Sequence, residues 1–348
     1  MDTIIEVDQP ILVTGSGGFI GRSLVAALLR LGFTNVRCLV RPFGDVSELE
    51  KVGREFGRKL QIVRGNLLSR QDCDAITNGA AVIYHLAAGT GTKSFADAFA
   101  NSVVTTRNLL DAAVGHGNLR RFVSVSSFAV YDVKSSITPG VLDETCPTEA
   151  RPEQLGAYSF AKCKQDELVA DYAQKHGVRY VLVRPGVVYG PGKKRIHGRI
   201  GLDTFGLFLH LGGNNPIPLS FVENCADAIA LAGIKPGVDN EIFNVVDDDL
   251  PSSREFLQRY KREVENFRSV YLPPAISYFL CALWEKYSNW SNGQLPPVYN
   301  RKVWANSWKR TSYPNNKMKE RLGWTQRVAT ADALTEYFTT WRKTLAHA

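Results

Sequence analysis

Tyr158-Ser159-Phe160-Ala161-Lys162 stands at the head of a run with helical periodicity. Positions four apart share one helix face, so a phenol and an ammonium point the same way. A free tyrosine titrates at about pH 10, too high for proton exchange near neutrality, and an adjacent ammonium stabilises the phenolate and lowers that value. Upstream, Ser126-Ser127-Phe128-Ala129-Val130-Tyr131 closes a strand-like run, where a hydroxyl can hold the oxygen of a carbinol or ketone. Alone, a tyrosine–lysine pair at this spacing is a common accident. It gains meaning beside a group that can accept or donate a hydride.

A second constellation supplies the place for one. Thr14-Gly15-Ser16-Gly17-Gly18-Phe19-Ile20-Gly21 follows an apolar strand and opens a helix-period segment. Gly15 permits a tight turn, Gly18 lets backbone approach a pyrophosphate, and Gly21 allows close helix–strand packing; the helix N-terminus adds N–H groups and partial positive charge. With a nicotinamide dinucleotide there, the cationic ring acts on Tyr158 together with Lys162, and the lysine can hydrogen-bond the nicotinamide ribose. Chains that prefer NAD present an acid about 20 residues past the last glycine. Here those positions are Val40 and Arg41, and no Asp or Glu lies between Gly21 and Asp45. A guanidinium grips a 2′-phosphate in bidentate fashion. Arg41, helped by Arg22 or Arg37, therefore makes NADP(H) the favoured cofactor and NAD(H) the alternative.

The elements that must position these groups alternate. Strand-like runs occur at 11–14, 36–40, 60–63, 81–86, 122–126 and 180–184, with helix-period segments at 21–31, 46–56, 70–76, 101–115 and 157–176. That order predicts an α/β fold, a Rossmann-type doubly wound parallel sheet with its ligand along the strand C-terminal edge. Beyond Arg184 the pattern loosens through Gly190-Pro191-Gly192 and Gly212-Gly213, then gives a helix near 223–232 and a strand near 242–246. All six tryptophans follow residue 280. The expected organisation is a dinucleotide-binding domain over 1–185 and a smaller C-terminal substrate lobe over 186–348, with parts near 217–250 returning to the first.

At 348 residues, with 44% hydrophobic and 22% charged residues, the chain can bury a full globular core. Its net charge of +8 suits an anionic cofactor, and no Lys/Arg run is long enough to demand nucleic acid. The six cysteines form no Cys-x-x-Cys pair and the six histidines no cluster, so no metal site is expected and the thiols read as reduced. A strand-like run by Pro10 and the lack of any apolar stretch of about 18 residues lead to the expectation of a cytoplasmic protein without a transmembrane segment.

Taken together the motifs resemble the extended short-chain dehydrogenase/reductases, the NAD-dependent epimerase/dehydratase family. The resemblance covers most of the chain: the turn at 14–21, Val82-Ile83-Tyr84-His85-Leu86-Ala87-Ala88, Asn101 with Asn108-Leu109-Leu110, the serine strand, Tyr158 with Lys162, and Arg184-Pro185-Gly186-Val187-Val188-Tyr189-Gly190-Pro191. It implies Ser127, Tyr158 and Lys162 as catalytic residues. It implies a cofactor lined by Gly15, Ser16, Gly17, Gly18, Phe19, Ile20, Gly21, Arg41, Asn66, Leu67, Leu86, Ala87, Ala88, Asn101, Tyr158, Lys162, Pro185, Val187 and Val188. The family carries Asp where this chain has Asn66, which retains hydrogen-bonding capacity towards adenine. Members usually pair two long helices per subunit into a dimer, and 101–115 with 157–176 are the candidates for a homodimer here.

Two departures bear on substrate. Sugar-nucleotide members place an asparagine where this chain has Val187, and a phosphate-gripping arginine where Ile217-Pro218-Leu219 stands. A buried pyrophosphate would lose ligands there, at a cost. Val222-Glu223-Asn224-Cys225-Ala226-Asp227-Ala228 and the proline-led run 272–280 resemble instead the 3β-hydroxysteroid dehydrogenase-like branch, which acts on sterols and other apolar hydroxy or keto compounds. The expectation is an NAD(P)-dependent oxidoreductase interconverting a secondary alcohol and a ketone on a bulky, largely apolar small molecule. The alternatives are a nucleotide-sugar epimerase, dehydratase or reductase with phosphate ligands moved to Lys193-Lys194-Arg195-Ile196-His197-Gly198-Arg199 or Lys309-Arg310, and a non-catalytic NADP-sensing protein. The aromatic-rich C-terminus suits an apolar pocket, peripheral contact with a membrane surface, or plain packing of a helical lobe.

Overall fold

The computed structural model describes residues 2–89, 94–133, 137–193, 198–204, 206–291, 294–295 and 299–346. Its strands are β1 (Ile11–Thr14), β2 (Val36–Val40), β3 (Gln61–Arg64), β4 (Val82–His85), β5 (Arg121–Val125), β6 (Gly140–Val141), β7 (Tyr180–Pro185), β8 (Val187–Tyr189), β9 (Gly201–Thr204), β10 (Leu207–His210), β11 (Leu219–Phe221), β12 (Glu241–Val245), β13 (Ser269–Tyr271) and β14 (Thr311–Ser312). Its helices are α1 (Phe19–Arg30), α2 (Ser47–Glu55), α3 (Arg70–Thr77), α4 (Phe95–Phe99), α5 (Thr105–His116), α6 (Ala157–His176), α7 (Val222–Ile234), α8 (Ser253–Glu263), α9 (Pro274–Trp290), α10 (Arg301–Trp308), α11 (Asn316–Leu322) and α12 (Thr330–Ala346).

Seven strands form one parallel sheet in the order β12-β7-β5-β4-β1-β2-β3. The central strands are uniformly buried and mostly apolar because both faces are covered. Leu24 and Leu28 of α1, Ile229 of α7, and Met318 and Trp324 at and beyond α11 pack on one face. Leu109 and Leu110 of α5, Val169 of α6 and Ile76 of α3 pack on the other. The strand order reverses between β1 and β4, which opens a crevice beyond their C-terminal ends. Both the phosphate turn and the segment after β4 sit there.

The helix expected over 101–115 begins earlier. Ser94 caps α4, its hydroxyl accepting from Asp97 N at 3.1 Å, and a π-helical stretch at Ala100–Val104 joins α4 to α5. A π insertion widens the helix and shifts the register of the side chains that follow it. Gly117 (φ +69°) ends α5 and Gly177 (φ +67°) ends α6 in the left-handed region that glycine tolerates.

The remaining chain builds a second apolar cluster around Tyr189, Phe208, Phe256, Tyr337 and Trp341, and a smaller one around Cys281, Trp304 and Trp308. Two small sheets support it, β13-β10-β9 and β11-β8. The loop-like reading of 190–213 missed the β9–β10 hairpin, whose four-residue strands are too short for their alternation to register. Trp304, Trp308, Trp324 and Trp341 are buried packing residues, whereas Trp290 is 75% exposed.

Candidate active site

β1 delivers Thr14 to the crevice, and Gly15 turns the chain at φ +68° so tightly that a Cβ would stand 2.9 Å from Ala87 N. A Cβ on Gly21 would collide with the Gly15 carbonyl oxygen, so Gly21 is needed for packing against the turn itself rather than against the strand. Ser16 is buried and donates to Leu39 O at 2.8 Å, tying the turn to β2. Gly17 and Gly18 are exposed. The twelve-residue α1 begins at Phe19 with no side-chain cap and no acid in its first turn, which leaves its leading N–H groups available to an anion. These residues fit a dinucleotide pyrophosphate. Leu86, Ala87 and Ala88 are half-buried beside the turn. Asn101 lies in the π stretch, with its Nδ2 donating to Asp97 O at 2.8 Å.

At the adenosine end Arg41 is exposed, and its guanidinium has no partner among the described residues. Arg64 pins the loop that carries it, donating to Pro42 O at 2.7 Å and Gly44 O at 3.0 Å. The helpers inferred from sequence fare unequally. Arg22 stays near the turn, 3.7 Å from Glu48. Arg37 is spent on structure, donating to Ile76 O at 2.5 Å and Asn78 O at 3.0 Å, because its strand runs beside the end of α3. Asn66 uses its carboxamide oxygen to accept from Leu68 N at 3.0 Å, and buried Leu67 is held through its carbonyl by Asn108 at 3.0 Å. The backbone at Asp45 lies close to Gly17, so the first acid past the turn is nearer the site than its sequence distance suggests.

On the other side of the crevice, Gly156 precedes α6, whose first turn carries Tyr158 and whose second carries Lys162. Ser127 caps a short 3-10 turn after β5, its hydroxyl accepting from Ala129 N at 3.2 Å and hydrogen-bonding the Tyr158 phenol. Ser126 turns the other way and donates to Asp166 at 2.8 Å. Of the two serines only Ser127 faces the phenol. Lys162 is buried and donates to Val125 O and Gln165 Oε1, both at 2.8 Å. Burial lowers its pKa to about 8, against the pull of Asp166. Tyr158 stands above its ordinary value because burial, with the nearby Asp166 charge, outweighs the Ser127 hydrogen bond. Sequence reasoning expected the opposite direction. An oxidised nicotinamide, when bound, supplies a positive charge that acts downwards on the phenol.

Sequence reasoning also passed over the buried pair behind these residues. Asp166, four residues past Lys162, meets Arg184 at 3.0 Å, and Arg184 lies 4.7 Å from the Tyr131 ring centre. The four-residue spacing from Lys162 was the available signal.

Ser127, Tyr158 and Val187 line a cavity of about 360 Å³, with Arg199, Asn306 and Trp308 opposite. Asn306 Oδ1 is buried without a hydrogen-bond partner among the described residues. Leu202, Tyr299 and Trp308 also belong to the wall of a neighbouring chamber of about 510 Å³, which Leu209, Leu211, Leu280, Leu283 and Trp284 complete. Pro185 is buried and Val188 half-buried, with Val187 pairing Leu219. In the basic loop, residues 194–197 lie outside the described residues. Lys193 sits 5.2 Å from the Phe19 ring centre and Arg199 donates to Tyr313 Oη at 3.2 Å. Lys309 packs beside Gly140, and neither it nor Arg310 lines either cavity.

The model of the NAD dependent epimerase/dehydratase family matches residues 11–245. The chain belongs to this family. Cinnamoyl-CoA reductase 1 of Petunia hybrida is 31% identical over 191 residues, 53% of this chain and 55% of that one. A protein of Bacillus subtilis named as an uncharacterized UDP-glucose epimerase is 28% identical over 251 residues, 68% of this chain and 76% of its own. The chain spans about half the length of the first curated relatives it matches. Among solved structures, the UDP-glucuronic acid 4-epimerase of Bacillus cereus, in complex with UDP-glucuronic acid and NAD, matches with a TM-score of 0.69 at 20% identity. That match covers 97% of this chain and 99% of the other. A dTDP-glucose 4,6-dehydratase of Streptomyces venezuelae with NAD bound gives 0.70 at 22%, covering 97% and 98%. Likeness at that identity establishes the shared fold. The family is thus fixed, while nothing in these matches singles out the 3β-hydroxysteroid dehydrogenase-like branch.

Proposed function

We propose that this chain moves a hydride between a nicotinamide dinucleotide and a carbon bearing a secondary hydroxyl or keto group. The observation that carries the reading is that Ser127 and Tyr158, hydrogen-bonded to each other, line one cavity, with Lys162 one turn further along α6 and the glycine turn following β1 of the same sheet. Tyr158 takes the proton from, or returns it to, the substrate oxygen, and Ser127 holds that oxygen. Lys162 holds the nicotinamide ribose and favours phenolate. The cofactor, when bound, supplies the hydride acceptor or donor. Residues 1–185, with the returning α7 and β12, bind it, and most of 186–348 forms the substrate lobe.

For the substrate, the relatives favour a nucleotide sugar over the sterol-like compound expected from sequence. Polar groups in the inner cavity support that class: Arg199, and Asn306 with its orphaned acceptor, can receive a hydroxylated ring. A second reading, an apolar hydroxy or keto compound, is favoured by the chamber of leucines and aromatic rings next door. Discrimination for NADP(H) over NAD(H) rests on Arg41. The neighbours named above bind NAD, so NAD(H) is the competing assignment.

Pairing of two copies through α5 and α6 follows the habit of the family; Phe95 of α4, whose ring contacts Phe160 of α6, is exposed beside them. Sedimentation at high concentration is expected to give a dimer; a monomer removes this part of the proposal. The outward stripe of α9 (Ile276, Phe279, Leu283, Tyr287 and Trp290) suits peripheral contact with an anionic bilayer, in keeping with the net charge of +8.

Thermal unfolding with saturating NADP+ or NAD+ separates the substrate classes, since a ligand of the folded state raises the melting temperature. UDP-glucose, UDP-glucuronic acid or dTDP-glucose raising it supports the first reading, and a hydroxysteroid raising it supports the second. Failure of either dinucleotide to bind overturns the proposal itself.

A further inference from the structure

A chain of buried polar groups joins the lysine to the strand that carries the phosphate turn. Lys162 Nζ donates to Gln165 Oε1 (2.8 Å), and Gln165 Nε2 donates to Thr106 Oγ1 (2.8 Å). Thr106 donates its own proton to Ser102 O at 2.5 Å, so the hydroxyl can only accept from His85 Nε2 at 2.9 Å. That fixes the tautomer: His85 carries its proton on Nε2, and its Nδ1 accepts from the Thr14 hydroxyl at 2.7 Å. Thr14 Oγ1 in turn accepts from Ala87 N at 3.4 Å. Thr14, His85, Thr106 and Gln165 are all fully buried, and burial keeps His85 neutral by driving its pKa to about 3. Each of these side chains has at least one hydrogen-bond partner within the chain of groups, and such pairing is what lets a buried polar network rigidify a core.

An ammonium has three N–H donors. Val125 O takes one and Gln165 Oε1 a second, which leaves one for a ligand. We propose that Gln165 is a positioning residue for Lys162, its oxygen aiming the ammonium while its nitrogen, through Thr106 and His85, locks that aim to the Thr14 end of β1. The inference rests on the proposed role of Lys162 but concerns the lysine's geometry and charge, which are measurable without a substrate. The titratable and charged groups around Lys162 are Tyr158 and Asp166 on α6, His85 at the end of β4 and Arg184 on β7. Among the described residues, the side-chain oxygen hydrogen-bonded to the ammonium is that of Gln165, which is uncharged.

The test is an NMR titration of ¹⁵N-labelled lysine Nζ in the cofactor-free chain, alongside calorimetric titration with NAD+ and NADP+. Wild type is expected to titrate at about 8. Gln165→Glu puts a carboxylate in the same contact and raises the midpoint by at least about one pH unit. Gln165→Met removes the acceptor at similar length, lowers the midpoint, and weakens binding of the dinucleotide the wild type prefers by about tenfold. A residue that only packs would lower the melting temperature of both variants without moving the midpoint in opposite directions. If Gln165→Glu does not fold, Gln165→Met decides alone. A wild-type midpoint in folded Gln165→Met overturns the inference, whereas loss of dinucleotide binding by the wild type itself points to failure of the proposed function instead.

Discussion

The two halves of the molecule treat their side chains in opposite ways. In the sheet half the polar groups around the site are sealed: Thr14, His85, Thr106 and Gln165 are fully buried and joined by hydrogen bonds, and Asp166, 6% exposed, is held by Ser126 and Arg184. In the lobe, beside its buried clusters, one apolar stripe stands in the open: Phe279, Leu283, Tyr287 and Trp290 of α9 are between 47% and 75% exposed, and Leu283 and Tyr287 also line the larger chamber. Proton exchange needs fixed dipoles in a place water does not reach, so the first half invests in buried networks. In the proposed reaction, admitting a substrate needs a surface that can be entered and repacked, and the open stripe of α9 is of that kind.

Substitutions at four places test that contrast. Asp166→Ala leaves Arg184 buried without its partner, and loss of one member of a buried ion pair costs about 3–5 kcal/mol. Chemical denaturation is expected to register that loss; a change below about 1 kcal/mol would mean the sheet half is less sealed than described. At the rim of the same half, Arg41→Ala is expected to reduce NADP(H) binding by about tenfold while NAD(H) affinity barely changes, read by titration of cofactor-stripped protein. Tighter binding of NAD(H) by the native chain would remove Arg41 from the site.

Asp247 sits at the junction between the halves, accepting from Phe221 N at 2.8 Å and Asn224 Nδ2 at 3.0 Å, and burial raises its pKa to about 6. A carboxyl raised in the folded state contributes stability that is complete below its ordinary value and fades as pH rises through the folded one. Relative to Asp247→Asn, wild type should therefore gain on the order of 1 kcal/mol from pH 7 to pH 5. Parallel melting curves across that range would contradict it. The smallest effect is expected in the lobe. Phe279→Asp, at a 60% exposed position, should shift stability by less than about 0.5 kcal/mol yet abolish co-sedimentation with phosphatidylglycerol-containing vesicles. Wild-type protein that ignores such vesicles would leave α9 without that role.

The contrast also explains what the sequence could convey. β1 and β2 were readable to the residue because strands covered on both faces are largely apolar runs. The glycine turn and the Tyr158–Lys162 spacing were readable because their geometry is local. Arg37 was misjudged because its partners, Ile76 and Asn78, are brought beside it only by sheet pairing. Gln165 gave no signal for the same reason: Thr106, His85 and Thr14 stand 59 to 151 positions away along the chain and meet only once the sheet has formed. In the lobe the tryptophans were conspicuous, but the sequence held nothing to divide buried Trp304 from exposed Trp290.

The central claim is that Tyr158 exchanges the proton of the hydride-transfer step, and its most direct test is Tyr158→Phe under single-turnover conditions. With dinucleotide saturating and a substrate identified by thermal stabilisation, the absorbance of reduced nicotinamide reports the chemical step. A positioned general acid or base contributes about 10²–10⁴-fold, so the variant should be slower by at least about a hundredfold while binding the dinucleotide as tightly as wild type. A rate within tenfold of wild type at equal occupancy would contradict the assignment.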